Sequence, residues 1–371
     1  MLWVVWAVLL AIFLGSYFAF FGYMRSRCRE PWNLKLDESF RPLVSVLVPV
    51  HNEEKVIRQK LENLRRVSYP QEKMEVVVID DASTDGTLEV INGFVKDNPD
   101  FRLRVVAQEP RSGKAGALNK GLSVVSSEVV VVTDADAFWS SDILVRALAY
   151  LSDPSIGALS GRQVPISCEG SWVARGEAGY LDLISVLRLG ESKVHSTIRF
   201  EGVFCAFKRS CFREFDSESG ADDSGTALQV VQNGFRAILI PEVSVPSEVP
   251  SRLGERVKVK TRRATHLAGL WITCLKLLFR RKLLLPKKIA LPEIFISLFD
   301  PFVFLSLVIV TVALLLFYPL FLLVLVVMLG VLVAVPLTRV YFAHGFLDQF
   351  VLLYSIFLYA GHRRFTSWEK V

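Results

Sequence analysis

Asp134 and Asp136, one residue apart, end the apolar run Val129-Val130-Val131-Val132-Thr133. Two carboxylates at the tip of a buried strand suit a hard divalent cation, Mg2+ or Mn2+, and the diphosphate it would carry, because oxygen-only donors select those ions over zinc. Such a cation neutralises charge developing on a leaving group. Two further acidic pairs invite the same chemistry. Asp80-Asp81 follows the run Glu75 to Ile79, and Asp222-Asp223 stands just before a helical pattern. Any one pair alone is equally an ordinary helix cap or turn, positions that Asp favours.

The elements that must position these acids decide between the two. Between residues 43 and 240, short β-rich runs alternate with helical patterns. Strands are expected at 43–48, 75–79, 103–106 and 129–133, and helices at 53–66, after Asp85-Gly86-Thr87, and at 114–124. Farther on come a helix at 171–189, strand-like stretches at 203–207 and 237–240, and a helix from Asp223 to Gln232 that stops at Asn233-Gly234. This alternation predicts an α/β fold, a mostly parallel sheet with helices on both faces. Runs such as Val76-Val77-Val78-Ile79 are apolar at every position, as strands buried on both faces must be. In open sheets of this kind, ligands bind at the carboxyl ends of the strands. His51-Asn52-Glu53, Asp80-Asp81 and Asp134-Ala135-Asp136 all fall at that end, so the fold gathers them on one edge.

Composition adds a second environment. The chain of 371 residues is 52% apolar with a mean hydropathy of +0.39, too high for an ordinary soluble protein. Leu2 to Tyr23 is charge-free and of spanning length; without a basic leader or cleavage site it is expected to stay as an anchor. Expected boundaries are an anchor at 1–24, a basic linker at 25–42, a catalytic domain at 43–250 and a basic amphipathic interfacial helix region at 251–290. A transmembrane hairpin follows at 291–337, then an interfacial or re-entrant segment with a basic tail at 338–371. That makes three spans. The net charge of +6 is concentrated beside the apolar blocks, in Arg25, Arg27 and Arg29 and in Arg256, Lys258, Lys260, Arg262 and Arg263. It therefore points to membrane lipids and a cytoplasmic catalytic domain in a multi-pass cell-membrane protein, with no nucleic-acid partner. Asp300, inside the second apolar block, precedes Pro301 and is expected at a helix break. The five cysteines show no metal spacing and are expected to be reduced thiols.

VSVLVPVHNEEKVI, VVVIDDASTDGT, SGKAGALNKGL and VVVTDADA, in this order, resemble the nucleotide-binding half of family 2 glycosyltransferases with the GT-A fold, over residues 43 to 240. The resemblance implies that Pro49, His51, Glu53 and Asp81 line the pocket of a nucleotide sugar, a UDP-sugar being the expected donor. Lys114 would approach its diphosphate. Asp134 and Asp136 would be the DxD motif, with Asp136 the usual contact to Mg2+ or Mn2+. Asp222-Asp223 stands where the family has a Glu-Asp pair, so Asp223 would be the general base of an inverting transfer, with Asp222, Glu201 and Gly202 on the acceptor side. A helix N-terminus there would lower the pKa of a carboxylate, so nearness to the acceptor would matter more than basicity.

The chain departs from the processive members of that family, which carry Gln-x-x-Arg-Trp on the interfacial helix. Here Val259-Lys260-Thr261-Arg262-Arg263 occupies the place; Arg262 can stand for the Arg and reach diphosphate, but the Gln and Trp are missing. Three spans also make a narrow polymer conduit, which only a homo-oligomer would widen. Single-sugar transfer to a lipid-linked or other membrane-associated glycan acceptor is therefore the expected activity. The alternatives are a processive synthase that also exports its product, a nucleotidyl- or phosphotransferase, and a non-catalytic sugar-nucleotide-binding subunit.

Overall fold

A computed structural model describes residues 1–166, 171–217, 221–334 and 336–361. Seven strands form one sheet: β1 (Val44–Val50), β2 (Met74–Asp81), β3 (Leu103–Gln108), β4 (Val129–Val132), β5 (Ile156–Ile166), β6 (Cys205–Lys208) and β7 (Arg236–Glu248). Their order across the sheet is β3-β2-β1-β4-β6-β5-β7. Only β6 runs against its neighbours. Helices α2 (Ile57–Arg65), α3 (Thr87–Asp97), α4 (Gly113–Leu122), α5 (Ile143–Leu151) and α7 (Asp222–Gln232) cover the sheet. The expected α/β architecture is present. Two apolar layers sandwich the sheet: Val46, Val48, Ile57, Leu61 and Val76 on one side, Leu47, Val77, Ile79, Leu118 and Val130 on the other.

Register explains why the acidic residues meet. Val50 lies opposite Asp80, and Leu47 opposite Val132. Carried three residues past Val132, that register brings position 135 level with Val50 and Asp80. The DxD turn and the end of β2 therefore share one edge. Because β6 is antiparallel, with Cys205 opposite Val132, its N-terminal approach, residues 201–204, arrives at that same edge.

The remaining helices are α1 (Leu2–Cys28), α6 (Trp172–Val194), α8 (Leu253–Phe279), α9 (Lys287–Ile294), α10 (Asp300–Phe317), α11 (Phe321–Ala334) and α12 (Pro336–Ala360). Among the described residues, two helical stretches are long and apolar enough to cross a membrane, Leu2–Cys28 and Lys287–Phe317. The second includes a π-helical turn at Phe295–Phe299, and Asp300 begins the helix beyond it, its Oδ1 3.5 Å from the Ser16 hydroxyl. Helices α1 and α6 pack closely: a Cβ on Gly190 would collide with the Met24 backbone. Cys28, Cys205, Cys211 and Cys274 are free thiols; Cys168 and the basic tail residues His362, Arg363, Arg364 and Lys370 lie outside the described residues.

Three features differ from expectation. Strand β5 gives no clear alternation, because Gly157 and Gly161 interrupt it; a Cβ at either would press on Val230, Phe235 or Val243. Helix α8 is not simply a surface helix. Leu270, Trp271 and Cys274 join the core, and two of its basic residues face inward. Arg256, 0% exposed, bonds Glu177 of α6 at 3.1 Å and Asp348 of α12 at 2.7 Å. Lys260 reaches the same carboxylates at 3.4 and 3.0 Å and lies 3.2 Å from the Tyr180 ring centroid. Finally, the stretch expected to be a short interfacial segment around Asp348 is part of the 25-residue helix α12. Asp348 is there as the counter-charge of Arg256 and Lys260.

Candidate active site

Strand ends, two helix N-termini and one glycine build the site. Asp81 ends β2, fully buried. Its carboxylate accepts the backbone N–H groups of Ser112 and Gly113, both at 2.8 Å, and the Gln108 side-chain amide at 2.5 Å. An acid suits that position, because the first N–H groups of α4 have no helical partner and carry partial positive charge. The backbone carbonyl of Asp81 lies 2.8 Å from His51 Nδ1, which draws the end of β1 against the end of β2. Asn52, with φ of 58°, turns the chain there. Glu53 is buried, its N–H donating to the Thr87 hydroxyl at 2.8 Å. Pro49 is buried within β1.

The loop that Asp81 holds delivers Lys114. Its Nζ lies 2.7 Å from Asp134 Oδ1 and 3.8 Å from Asp222 Oδ2. Lys114 thus joins the DxD turn to the start of α7. Gly202 passes directly over this contact. Its carbonyl accepts the Asp134 N–H at 3.1 Å, and a Cβ there would lie 2.6 Å from Lys114 Nζ and 2.9 Å from Asp134 Oδ2. Only glycine lets the backbone come this near. Glu201 is held beside it: Oε1 meets the buried Arg188 at 2.7 Å, and Oε2 accepts the Gln163 N–H at 3.0 Å.

Charge at this edge is unevenly matched. Burial opposes the charge on Lys114, but Asp134, Asp222 and Asp223 outweigh it and push its pKa upward. Asp134 is also disfavoured by burial, yet Lys114 holds its carboxyl below the usual range, with Lys60 and Arg263 adding to the effect. The Asp222-Asp223 pair goes the other way. Burial, and for Asp223 the adjacent Asp222 charge, raise both carboxyls, Asp223 to about 7. The helix N-terminus was expected to lower this group; desolvation and the neighbouring carboxylate are larger. The Ser224 N–H still donates to Asp223 Oδ1 at 2.7 Å.

Could these residues hold a divalent cation? Among the described residues no three His, Cys, Asp or Glu side chains are grouped as a closed metal site. Mg2+ and Mn2+ do not need one, since one or two carboxylates plus substrate phosphate oxygens complete their shell. Asp134 is half-buried with one oxygen on Lys114, and Asp136 is exposed on the turn. That donor set fits a cation completed by its substrate.

The structure brings Asp81, Lys114, Asp134, Glu201, Gly202, Asp222 and Asp223 into one continuous set of contacts and near neighbours. Arg262 is half-buried on α8; the charge of its exposed neighbour Arg263 also acts on Asp134, and that of His266, one turn on, acts on Asp222. Adjacent helix positions differ by about 100° in direction, and the motif spacing alone left that phase open. Arg188 was also missed, because a lone arginine in a helical pattern carries no sign that it is buried.

Comparison with known proteins agrees with this geometry. The profile described as Glycosyl transferase family 2 matches residues 45–215. The solved structure of the mannosyltransferase PcManGT from Pyrobaculum calidifontis, in complex with GDP-Man and Mn2+, superposes with a TM-score of 0.84 at 30% identity, covering 98% of this chain and 100% of that one. The poly-β-1,6-N-acetyl-D-glucosamine synthase of Staphylococcus aureus (strain COL) is 28% identical over 263 residues, 68% of this chain and 62% of its own length. The β-monoglucosyldiacylglycerol synthase of Nostoc sp. is 32% identical over 142 residues, 38% of this chain and 30% of its own. The chain therefore spans less than two thirds of the length of these two curated relatives. With a GT-A sheet, the acidic edge in the expected order and a full-length structural match, the chain belongs to glycosyltransferase family 2.

Proposed function

We propose that this chain transfers a single sugar, with inversion, from a nucleoside-diphosphate sugar to a lipid-linked or otherwise membrane-associated hydroxyl acceptor. One observation carries this reading. Lys114 touches the donor-side Asp134 and lies near the acceptor-side Asp222, with the Gly202 backbone seated directly over the contact. A diphosphate and an acceptor hydroxyl can therefore meet at one point. Asp223, raised to about 7, takes the acceptor proton as the hydroxyl oxygen bonds to the anomeric carbon. The bond from that carbon to the diphosphate oxygen breaks, and the nucleoside diphosphate leaves with the electron pair. Lys114 offers the departing oxygens a fixed positive charge. Asp134 and Asp136 would hold a divalent cation, which when bound neutralises the leaving group. Asp81 holds the loop that aims Lys114.

Two rivals remain testable. A processive synthase needs an acceptor platform on α8, and here Arg262-Arg263 occupies it while Arg256 and Lys260 are tied to Glu177 and Asp348. A non-catalytic binding subunit would have no use for a high-pKa carboxylate beside the acceptor floor. The decisive experiment incubates purified protein in detergent with membrane lipid extract, Mn2+ or Mg2+, and a panel of UDP- and GDP-sugars. Products are then read by mass. One sugar added to a lipid supports the proposal; a ladder of sugars supports the synthase. Binding without turnover for every donor supports the subunit. The panel must include both nucleotides, because the expected donor was a UDP-sugar and PcManGT was solved with GDP-Man.

A further inference from the structure

Lys60 is a charged side chain fully buried beneath the acidic edge. It lies on α2, 0% exposed, where α2 otherwise buries Ile57, Leu61 and Leu64. Its Nζ donates to the Thr133 hydroxyl at 2.8 Å and also to the Ala137 carbonyl. These two residues bracket Asp134-Ala135-Asp136. One ammonium therefore closes the DxD turn from the protein side, like a staple across its base. The same Nζ stands 4.6 Å from the Trp139 ring centroid.

The contacts continue to the acceptor side. The Trp139 indole N–H donates to the Val203 carbonyl at 3.0 Å, and the Thr133 hydroxyl lies 3.2 Å from the same oxygen. Val203 follows Gly202, whose backbone covers the Lys114–Asp134 contact. Lys60 thus touches the two residues that fix both the DxD turn and the floor opposite it. A buried side-chain amine without hydrogen bonds is costly, and both bonds that satisfy this one go to residues flanking the DxD turn.

We infer that Lys60 is a positioning residue, which sets the separation of the two DxD carboxylates for a cation–diphosphate and locks that turn to the loop carrying Gly202. It touches neither substrate nor metal. The inference rests on the proposal that Asp134 and Asp136 receive a cation with a nucleoside diphosphate.

The test compares the full-length protein with Lys60→Met, which fills the apolar surroundings without donating hydrogen bonds, and Lys60→Gln, which restores a donor. Mn2+ binding is read by electron paramagnetic resonance in the presence of GDP, and separately of UDP. Thermal unfolding is followed in parallel. Wild type binding no Mn2+ with either nucleotide would refute the site assignment itself, a failure distinct from that of Lys60. Given wild-type binding, Lys60→Met should weaken Mn2+ at least tenfold while its melting temperature stays within a few degrees, and Lys60→Gln should recover most of the affinity. Unchanged Mn2+ affinity in Lys60→Met would overturn the positioning role. So would a large loss of melting temperature that Lys60→Gln repairs without recovering Mn2+ binding, since Lys60 would then serve packing alone.

Discussion

Two of the groups of charged side chains among the described residues differ in their balance. Between α6, α8 and α12, Glu177 and Asp348 meet Arg256 and Lys260: two anions, two cations, each within 3.4 Å of an opposite charge. At the sheet edge, Asp134 and Asp222 lie within 3.8 Å of Lys114, and the Asp223 charge acts on it as well. The first group pairs its charges two against two and joins three helices. In the second the carboxylates outnumber the nearby cations, and burial, followed by the Asp222 charge, raises Asp223. A balanced buried cluster holds structure, whereas an unbalanced one is prepared to receive something.

That contrast can be broken experimentally. The largest effect is expected from Asp223→Asn, which removes the general base; such groups contribute about 10²–10⁴-fold to rate. Donor binding, measured by calorimetry with a nucleotide sugar, should survive, and normal turnover in the variant would remove the assignment. Chelation comes next: EDTA should stop transfer, and Mn2+ or Mg2+ should restore it in a radiolabelled-sugar assay. Full activity in EDTA would show that Lys114 suffices for the leaving group. Asp348→Ala acts on the balanced cluster and should leave Arg256 and Lys260 without that partner. Breaking such a buried pair costs about 3–5 kcal/mol, so melting temperature should drop while turnover per folded molecule is kept. If turnover falls instead with no loss of stability, the helix cluster belongs to the active site.

Smaller effects sharpen the catalytic side. Gly202→Ala places a methyl group against Lys114 and Asp134 and should cut kcat without lowering the melting temperature. The pH profile gives the last measure. Asp223 works deprotonated, and its pKa is raised to about 7 by burial and Asp222; the rate should therefore fall as pH drops through about 7. An ordinary carboxylate would keep its activity to about pH 4. Asp222→Asn removes the neighbouring negative charge and should move the acid limb to lower pH. An unmoved limb would assign it to another group.

Much of this was legible in the chain because the informative residues are also the local ones. All-apolar runs ending in acids, such as Val129 to Asp136, state both a strand and its functional end. β5 was not legible, since Gly157 and Gly161 serve side-chain packing from distant elements and break the alternation that marks a strand. Lys60, Arg188 and Asp348 escaped for another reason: a charged residue announces solvent, and its burial depends on partners 13 to 92 positions away. The rise in Asp223 followed the same logic. Sequence showed the helix N-terminus but not the desolvation that overrides it.

The tight crossing of α1 and α6 at Gly190 has a bearing on which acceptors can be used. With no space for a methyl group between Gly190 and the Met24 backbone, the first helix has one fixed seat on α6, and α6 carries the Arg188 that holds Glu201. If α1 enters a bilayer, the height of the acidic edge above it is set as on a ruler. A slip of one helical turn would change that height by about 5.4 Å. Selection among lipid-borne hydroxyls would then begin with their distance from the membrane plane, before any pocket makes contact with them.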